Sequence, residues 1–142
     1  VFRPSNRGVT ISHHLVTGPK APVVRDWAFD TRGIGVQPIV FIEGYQPRHH
    51  YGSDPEMIVA VNEMRKVTGG KVLSNTGVKK VVHRELMQLV GCWTFTTPSH
   101  HQDLRAAARI ALLGMLKNPG LNELLADVVR DHLHGNTWYV HS

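Results

Sequence analysis

Cysteine is nearly missing from this chain: Cys92 is the only one in 142 residues. A lone thiol cannot close an intrachain disulfide, and it accords with a reducing compartment. Its flanks, Val90, Gly91 and Trp93, predict a small buried side chain. The Cys partners of a structural zinc centre are absent as well, and His13-His14 and His49-His50 lack zinc-ligand spacing. No stretch approaches the roughly 20 apolar residues that span a bilayer, and residues 1–8 lack the apolar core of a secretory signal. There is no phosphate-binding glycine loop, Gly33-x-Gly35 being too short, and no Ser/His/Asp or Cys/His nucleophile arrangement. Repeats, low-complexity tracts and linkers are also lacking. The expectation is one domain over residues 1–142, cytoplasmic and without a membrane contact.

What is present is an ordinary hydrophobic fraction of 42% and a cationic surplus, 16 Lys and Arg against 11 Asp and Glu, with ten His besides. That balance favours polyanionic partners, nucleic acid above all, because phosphate contacts attract without regard to sequence.

Strand and helix signals alternate along the chain. Residues 8–16 are β-branched and bounded by Gly8 and Gly18-Pro19, a strand pattern. Val23, Val24, Trp27 and Ala28 recur at helical spacing over residues 21–29. Ile39-Val-Phe-Ile42 is apolar without alternation, the signature of a strand covered on both faces. Asp54-Pro55-Glu56 opens a helix with inward Met57, Ile58, Val61 and Met64, stopped at Gly69-Gly70. Lys71 to Ser74 reads as a short strand. Thr76 to about Val90 reads as one helix with Val78, Val81, Val82, Leu86 and Leu89 on a face. A helix opening near Asp103 carries Leu104, Ala107, Ala108, Ala111, Leu112 and Met115, and a last one runs from Leu121 to about His134. Residues 137–142 are left unassigned. The order predicts an α/β fold with a largely parallel sheet.

Two acids stand out in this order. Glu43 closes the apolar run Gln37-Pro-Ile-Val-Phe-Ile-Glu43, where a parallel strand delivers its last side chain to the carboxyl edge of a sheet. Asp103 opens the Ala-rich helix His100-His-Gln-Asp-Leu-Arg-Ala-Ala-Ala-Arg. Carboxylates converging there suit Mg²⁺, a hard cation that prefers oxygen. Read plainly, Glu43 is a solvated residue after a strand and Asp103 a first-turn acid favoured by the helix dipole.

The segments Ile42-Glu-Gly-Tyr-Gln-Pro-Arg-His-His50, Lys71 to Leu89, and Trp93 to Leu112, taken in order, resemble the phage branch of the RuvC-like Holliday-junction resolvases over about Pro38 to Leu116. The resemblance implies an RNase H-like mixed sheet flanked by helices, a homodimer, branched or four-way-junction DNA as substrate, and Mg²⁺ or Mn²⁺ as cofactor. It also implies a phage protein acting inside its host. By the same resemblance Glu43 matches the acid of the central strand and Asp103 the first acid of the final helix. Both are then metal-holding, catalytic positions, with His100, three residues before Asp103, as helper. The first strand with its Asp is expected to be missing from the sequence, and Ala106 stands where many relatives keep another acid. A partner strand or dimer seam is therefore expected near residues 8 to 16.

Arg48, His49, Lys71, Lys79, Lys80, Arg84 and Arg105 are the nucleic-acid candidates, with Arg109 four residues after Arg105 on the same helix. As solvated faces these positions would look much the same. Three readings follow: a metal-dependent endonuclease acting on branched DNA, a catalytically impaired relative acting as a non-catalytic DNA-binding or assembly protein, and an α/β domain with unrelated ligands.

Overall fold

A computed structural model of the chain describes residues 2–5, 7–13, 39–44, 55–95 and 100–141. They fall into two compact units, one formed by Val1–Leu15 with Gly77–Ser142 and the other by Val16–Thr76. Both contain strands and helices, so the protein is mixed α/β. Among the described residues no helix is long and apolar enough to cross a membrane.

In the first unit, β1 (Phe2–Ser5) and β2 (Gly8–His13) pair antiparallel, from Phe2 opposite Ile11 to Ser5 opposite Gly8. β5 (Thr137–His141) lies parallel along the other edge of β2, with Val9 opposite Thr137 and His13 opposite His141. The order β1-β2-β5 makes β2 central. Its alternation is that of a sheet with one covered face: Val9 and Ile11 are buried, Thr10 and Ser12 less so. Gly8 sits at φ 131°, and a Cβ there would land on the Asn136 carbonyl oxygen. That carbonyl accepts the Val9 N–H at 2.9 Å, which ties the start of β2 to the turn before β5. Pro4 lies in β1, an edge strand, where its missing N–H is tolerated.

This arrangement answers the expectation for residues 8 to 16. Over residues 8–13 both edges of β2 are paired, with β1 and β5, and residues 14–16 lie outside the described residues. Tail residues 137–141, unassigned from sequence, carry the aromatic and β-branched run that a strand requires.

Four helices complete this unit. α2 (Val78–Val81) and α3 (Arg84–Leu89) replace the single helix expected over residues 76–90. Val82 leaves the helical region at φ −101°, ψ 87°, and His83 is extended at φ −74°, ψ 164°. In one unbroken helix Met87 would point about 140° away from Val82. The break turns it inward, so Val78, Val82, Met87 and Val90 are buried while Val81 and Leu89 are exposed.

α4 (His101–Lys117) is the longest element, about 25 Å at helical rise. It packs on α2, α3 and α5 (Asn122–Leu133). Leu104, Ile110, Leu112, Leu113, Gly114 and Met115 are buried, so its carboxyl half is covered on more than one side. The expected Ala stripe is therefore only partly inward: Ala107 is exposed and Ala108 and Ala111 are half-buried. Between α4 and α5, Asn118 Oδ1 accepts the Gly120 N–H at 3.0 Å and caps a 3-10 turn at Pro119–Leu121. α5 packs against β2 and buries Leu125 and Val128.

The described residues of the second unit form a β-α-β arrangement. β3 (Phe41–Glu43) and β4 (Lys71–Leu73) are parallel, with α1 (Pro55–Thr68) connecting them and packing on both. Ile42 and Leu73 are buried. α1 ends where Thr68 Oγ1 donates to the Met64 carbonyl at 2.6 Å and accepts the Gly70 N–H at 3.1 Å, with Gly69 at φ 67°. Of the inward stripe expected on α1, Val61 and Met64 are half-buried while Met57 and Ile58 are exposed. The lengths account for this. Three-residue strands run about 10 Å, half of a 14-residue helix. The helix expected at residues 21–29 lies outside the described residues.

Candidate functional site

Glu43 ends β3 opposite Leu73, its side chain exposed at the carboxyl end of the two-strand ladder. Its backbone neighbour continues the pairing, the Gly44 N–H donating to the Leu73 carbonyl at 2.8 Å. Just past β4, Asn75 Nδ2 donates to Glu43 Oε1 at 2.7 Å, which orients the carboxylate and leaves its second oxygen available to another partner. Lys71 stands opposite Phe41, at the other end of the same ladder, so these parallel strands separate it from Glu43 by two residue steps.

Asp103 lies in the first turn of α4, highly exposed at 80% of its side chain. His100 Nδ1 stands 3.8 Å from Asp103 Oδ2, close enough for charge attraction and too far for a hydrogen bond. His101 has another role. Its Nε2 lies 2.9 Å from the carbonyl oxygen of Phe95 and 3.2 Å from its amide nitrogen, and its ring meets the buried Phe95 ring edge-on at 6.0 Å. Donating to the carbonyl or accepting from the amide, according to its tautomer, it pins the loop to the start of α4.

The two carboxylates belong to different units, Glu43 to Val16–Thr76 and Asp103 to the other. Among the described residues no group of three or more His, Cys, Asp or Glu is placed to hold a metal ion. Each unit thus offers a single one of these two carboxylates, and a Mg²⁺ ion held by one carboxylate takes its remaining ligands from water or phosphate.

The basic candidates divide sharply. Arg48 and His49 lie outside the described residues. Lys79 and Lys80 are exposed on α2. Arg84 and Arg105 are brought together, and with them Arg109, by the indole of Trp93. The Arg105 guanidinium carbon lies 3.7 Å from the ring centre, that of Arg84 4.8 Å and that of Arg109 5.9 Å. Arg105 also donates its Nε–H to the Trp93 carbonyl at 2.7 Å, so one side chain stacks on the indole and bonds its backbone. Arg105 and Arg109 reach the same ring because residues four apart share a helix face. Arg84 enters because the break before α3 sets it at the start of that helix, beside the loop that carries Trp93.

Trp93 also lines an open cleft of about 240 Å³ with Gln88, Gly91, Thr94, His132 and Tyr139. Tyr139 donates its hydroxyl to the Gly91 carbonyl at 2.8 Å, and its proton is held more tightly than usual, first by burial and then by the nearby Cys92. Cys92 is buried, and burial pushes its thiol up to about 12 from 9.0. A thiol held so firmly protonated is no nucleophile near neutral pH. In the sequence Trp93 stands out only as a flank of Cys92 and as the start of the segment that runs to Leu112. The signal for its role was Arg105 and Arg109 at one helical spacing with a tryptophan upstream.

No protein-family model matches the chain, and neither the curated proteins nor the solved structures compared with it contain a match.

Proposed function

We propose that this chain is a DNA-binding protein of the RuvC-like resolvase type, acting as a Mg²⁺- or Mn²⁺-dependent endonuclease on branched or four-way-junction DNA. Glu43 and Asp103 are the metal-holding carboxylates of this reading, with His100 beside Asp103. An RNase H-like fold, a homodimer and a phage origin, working in the host cytoplasm, belong to the same reading. The observation that carries it is the placement of Glu43. It is an exposed carboxylate at the carboxyl end of a parallel strand pair, oriented by Asn75 and with its second oxygen unpaired among the described residues. The cationic cluster on Trp93 supports the DNA part of the reading.

A second reading, binding without cleavage, is favoured by the short donor set and by Ala106 on α4 where a further acid would help. The two are separated by incubating labelled four-way junction and linear duplex with the protein in Mg²⁺, Mn²⁺ or a chelator. Junction-selective nicking that needs the metal and is lost in both E43Q and D103N supports the nuclease. Junction binding with no nicking in either metal supports the second reading, and no preference for the junction rejects both.

A further inference from the structure

Each guanidinium carries five N–H donors and no acceptor, so three of them around one ring need acceptors from carbonyls, carboxylates, water or a ligand. Among the described residues no carboxylate pairs with Arg84, Arg105 or Arg109. Of all their donors, only Arg105 Nε–H has a described acceptor. Arg109 Nε is buried without any. Like charges so gathered repel, and the indole offsets this only in part, at about 0.5–2 kcal/mol per cation. An arrangement that holds three positive charges together with no neutralising group among the described residues is suited to an anion from outside the fold.

The surroundings agree. The unit Val1–Leu15 with Gly77–Ser142 contains nine of the sixteen Lys and Arg but only five of the eleven Asp and Glu, and eight of the ten His. The cleft that shares the Trp93 ring offers the Gln88 amide, the Thr94 hydroxyl and the His132 ring, and no carboxylate lines it. Nothing there repels a chain of phosphates passing the arginines, and the amide and hydroxyl can bond to sugar or base. The mixture of guanidinium and aromatic groups favours a polynucleotide over an acidic protein, because planar forks match phosphate oxygens in pairs while the ring suits sugars and bases.

We infer that Arg84, Arg105 and Arg109, gathered on Trp93, form a phosphodiester-binding site for a nucleic-acid backbone. This rests on the polynucleotide part of the reading above and needs no cleavage and no metal. Arg105 is the fixed member, locked by its stack and its bond to the Trp93 carbonyl. Arg84, exposed at the start of α3, is the member free to follow the ligand.

The test is binding of a fluorescent four-way junction, and of single-stranded and duplex arms of the same sequence, by anisotropy in chelator across a range of salt. R84Q, R109Q and R105K are compared with wild type and with K117Q, a charge loss at the exposed far end of α4. Each of R84Q and R109Q should weaken binding by about three- to tenfold and reduce the slope of log K against log salt by about 0.7–0.9. R105K keeps the charge and loses the fork, so it should weaken binding with little change in slope. Urea midpoints are measured alongside. Should R109Q fail to fold, R84Q alone decides, because its side chain is exposed. Equal losses in R84Q and K117Q, or an unchanged slope in R84Q, would overturn the site. So would equally effective displacement of the DNA by an oligo-glutamate of the same charge, which would reassign the cluster to an acidic protein. Loss of slope in R84Q with no nicking in Mg²⁺ would leave the phosphate site standing and remove the nuclease. Nicking with an unchanged slope would do the reverse.

Discussion

Substituting alanine at Gly91 is expected to cost the larger unit about 2–3 kcal/mol, from two sources that can be separated. Gly91 sits at φ 79°, and an L-residue in that left-handed region costs roughly 1–2 kcal/mol. A Cβ there would also overlap the Tyr139 hydroxyl and come within 2.7 Å of the His132 ring. Tyr139 must then move, giving up the 2.8 Å bond that joins β5 to the turn after α3, a loss of about 1 kcal/mol. Urea unfolding followed by circular dichroism gives the totals. Y139F, which removes only the hydroxyl, should cost about 0.5–1.5 kcal/mol. In the Y139F background G91A should cost roughly 1 kcal/mol less than in wild type, because the displaced group is already gone. Strict additivity, or a G91A midpoint indistinguishable from wild type, would refute the packing of β5 against that turn.

Other outcomes follow from single positions. L112A removes a side chain with no exposed surface at the centre of α4 and should cost about 3–5 kcal/mol by the same urea assay; a loss under 1 kcal/mol would mean that α4 is not the core helix. Cys92 should resist a disulfide reagent at pH 8 in the native protein and react at once in urea, since burial holds the thiol protonated. With its folded value of about 12 above the ordinary 9.0, the folded state holds the proton more tightly. The contribution of this group is therefore full below pH 9 and is lost as pH rises from 9 to 12, which a pH series of urea midpoints reads against C92A. N75A should change stability by less than about 1 kcal/mol, its bond to Glu43 being exposed, and should lower junction nicking if Glu43 takes part. H100A should shift the urea midpoint hardly at all, by less than about 0.5 kcal/mol, because its pairing with Asp103 is long and exposed.

Periodicity made much of the secondary structure readable. The strand at residues 8–13, the helix from Pro55, the short strand after Gly69-Gly70 and the two last helices all stand close to where apolar spacing, capping residues and glycines put them. Three features escaped for physical reasons. The break at Val82–His83 leaves no proline or glycine in the sequence; it follows from burying Met87, a tertiary gain that local spacing does not show. β1 and β5 are short terminal strands that become visible only when they pair with β2 from both sides. The Trp93 cluster joins residues from α3, a loop and α4, and only the helical spacing of Arg105 and Arg109 hinted at it. Of the candidate site, Glu43 at a strand end and Asp103 in a first helical turn were legible because each marks an element boundary.

The nuclease reading proposed above turns on whether Glu43 and Asp103 each take part in holding metal. Titration with Mn²⁺, following the amplitude of the free ion by electron paramagnetic resonance, measures it on wild type, E43Q, D103N and the double variant. That reading predicts that each single change weakens Mn²⁺ binding by about tenfold or more. Wild-type binding no tighter than that of the double variant would contradict it.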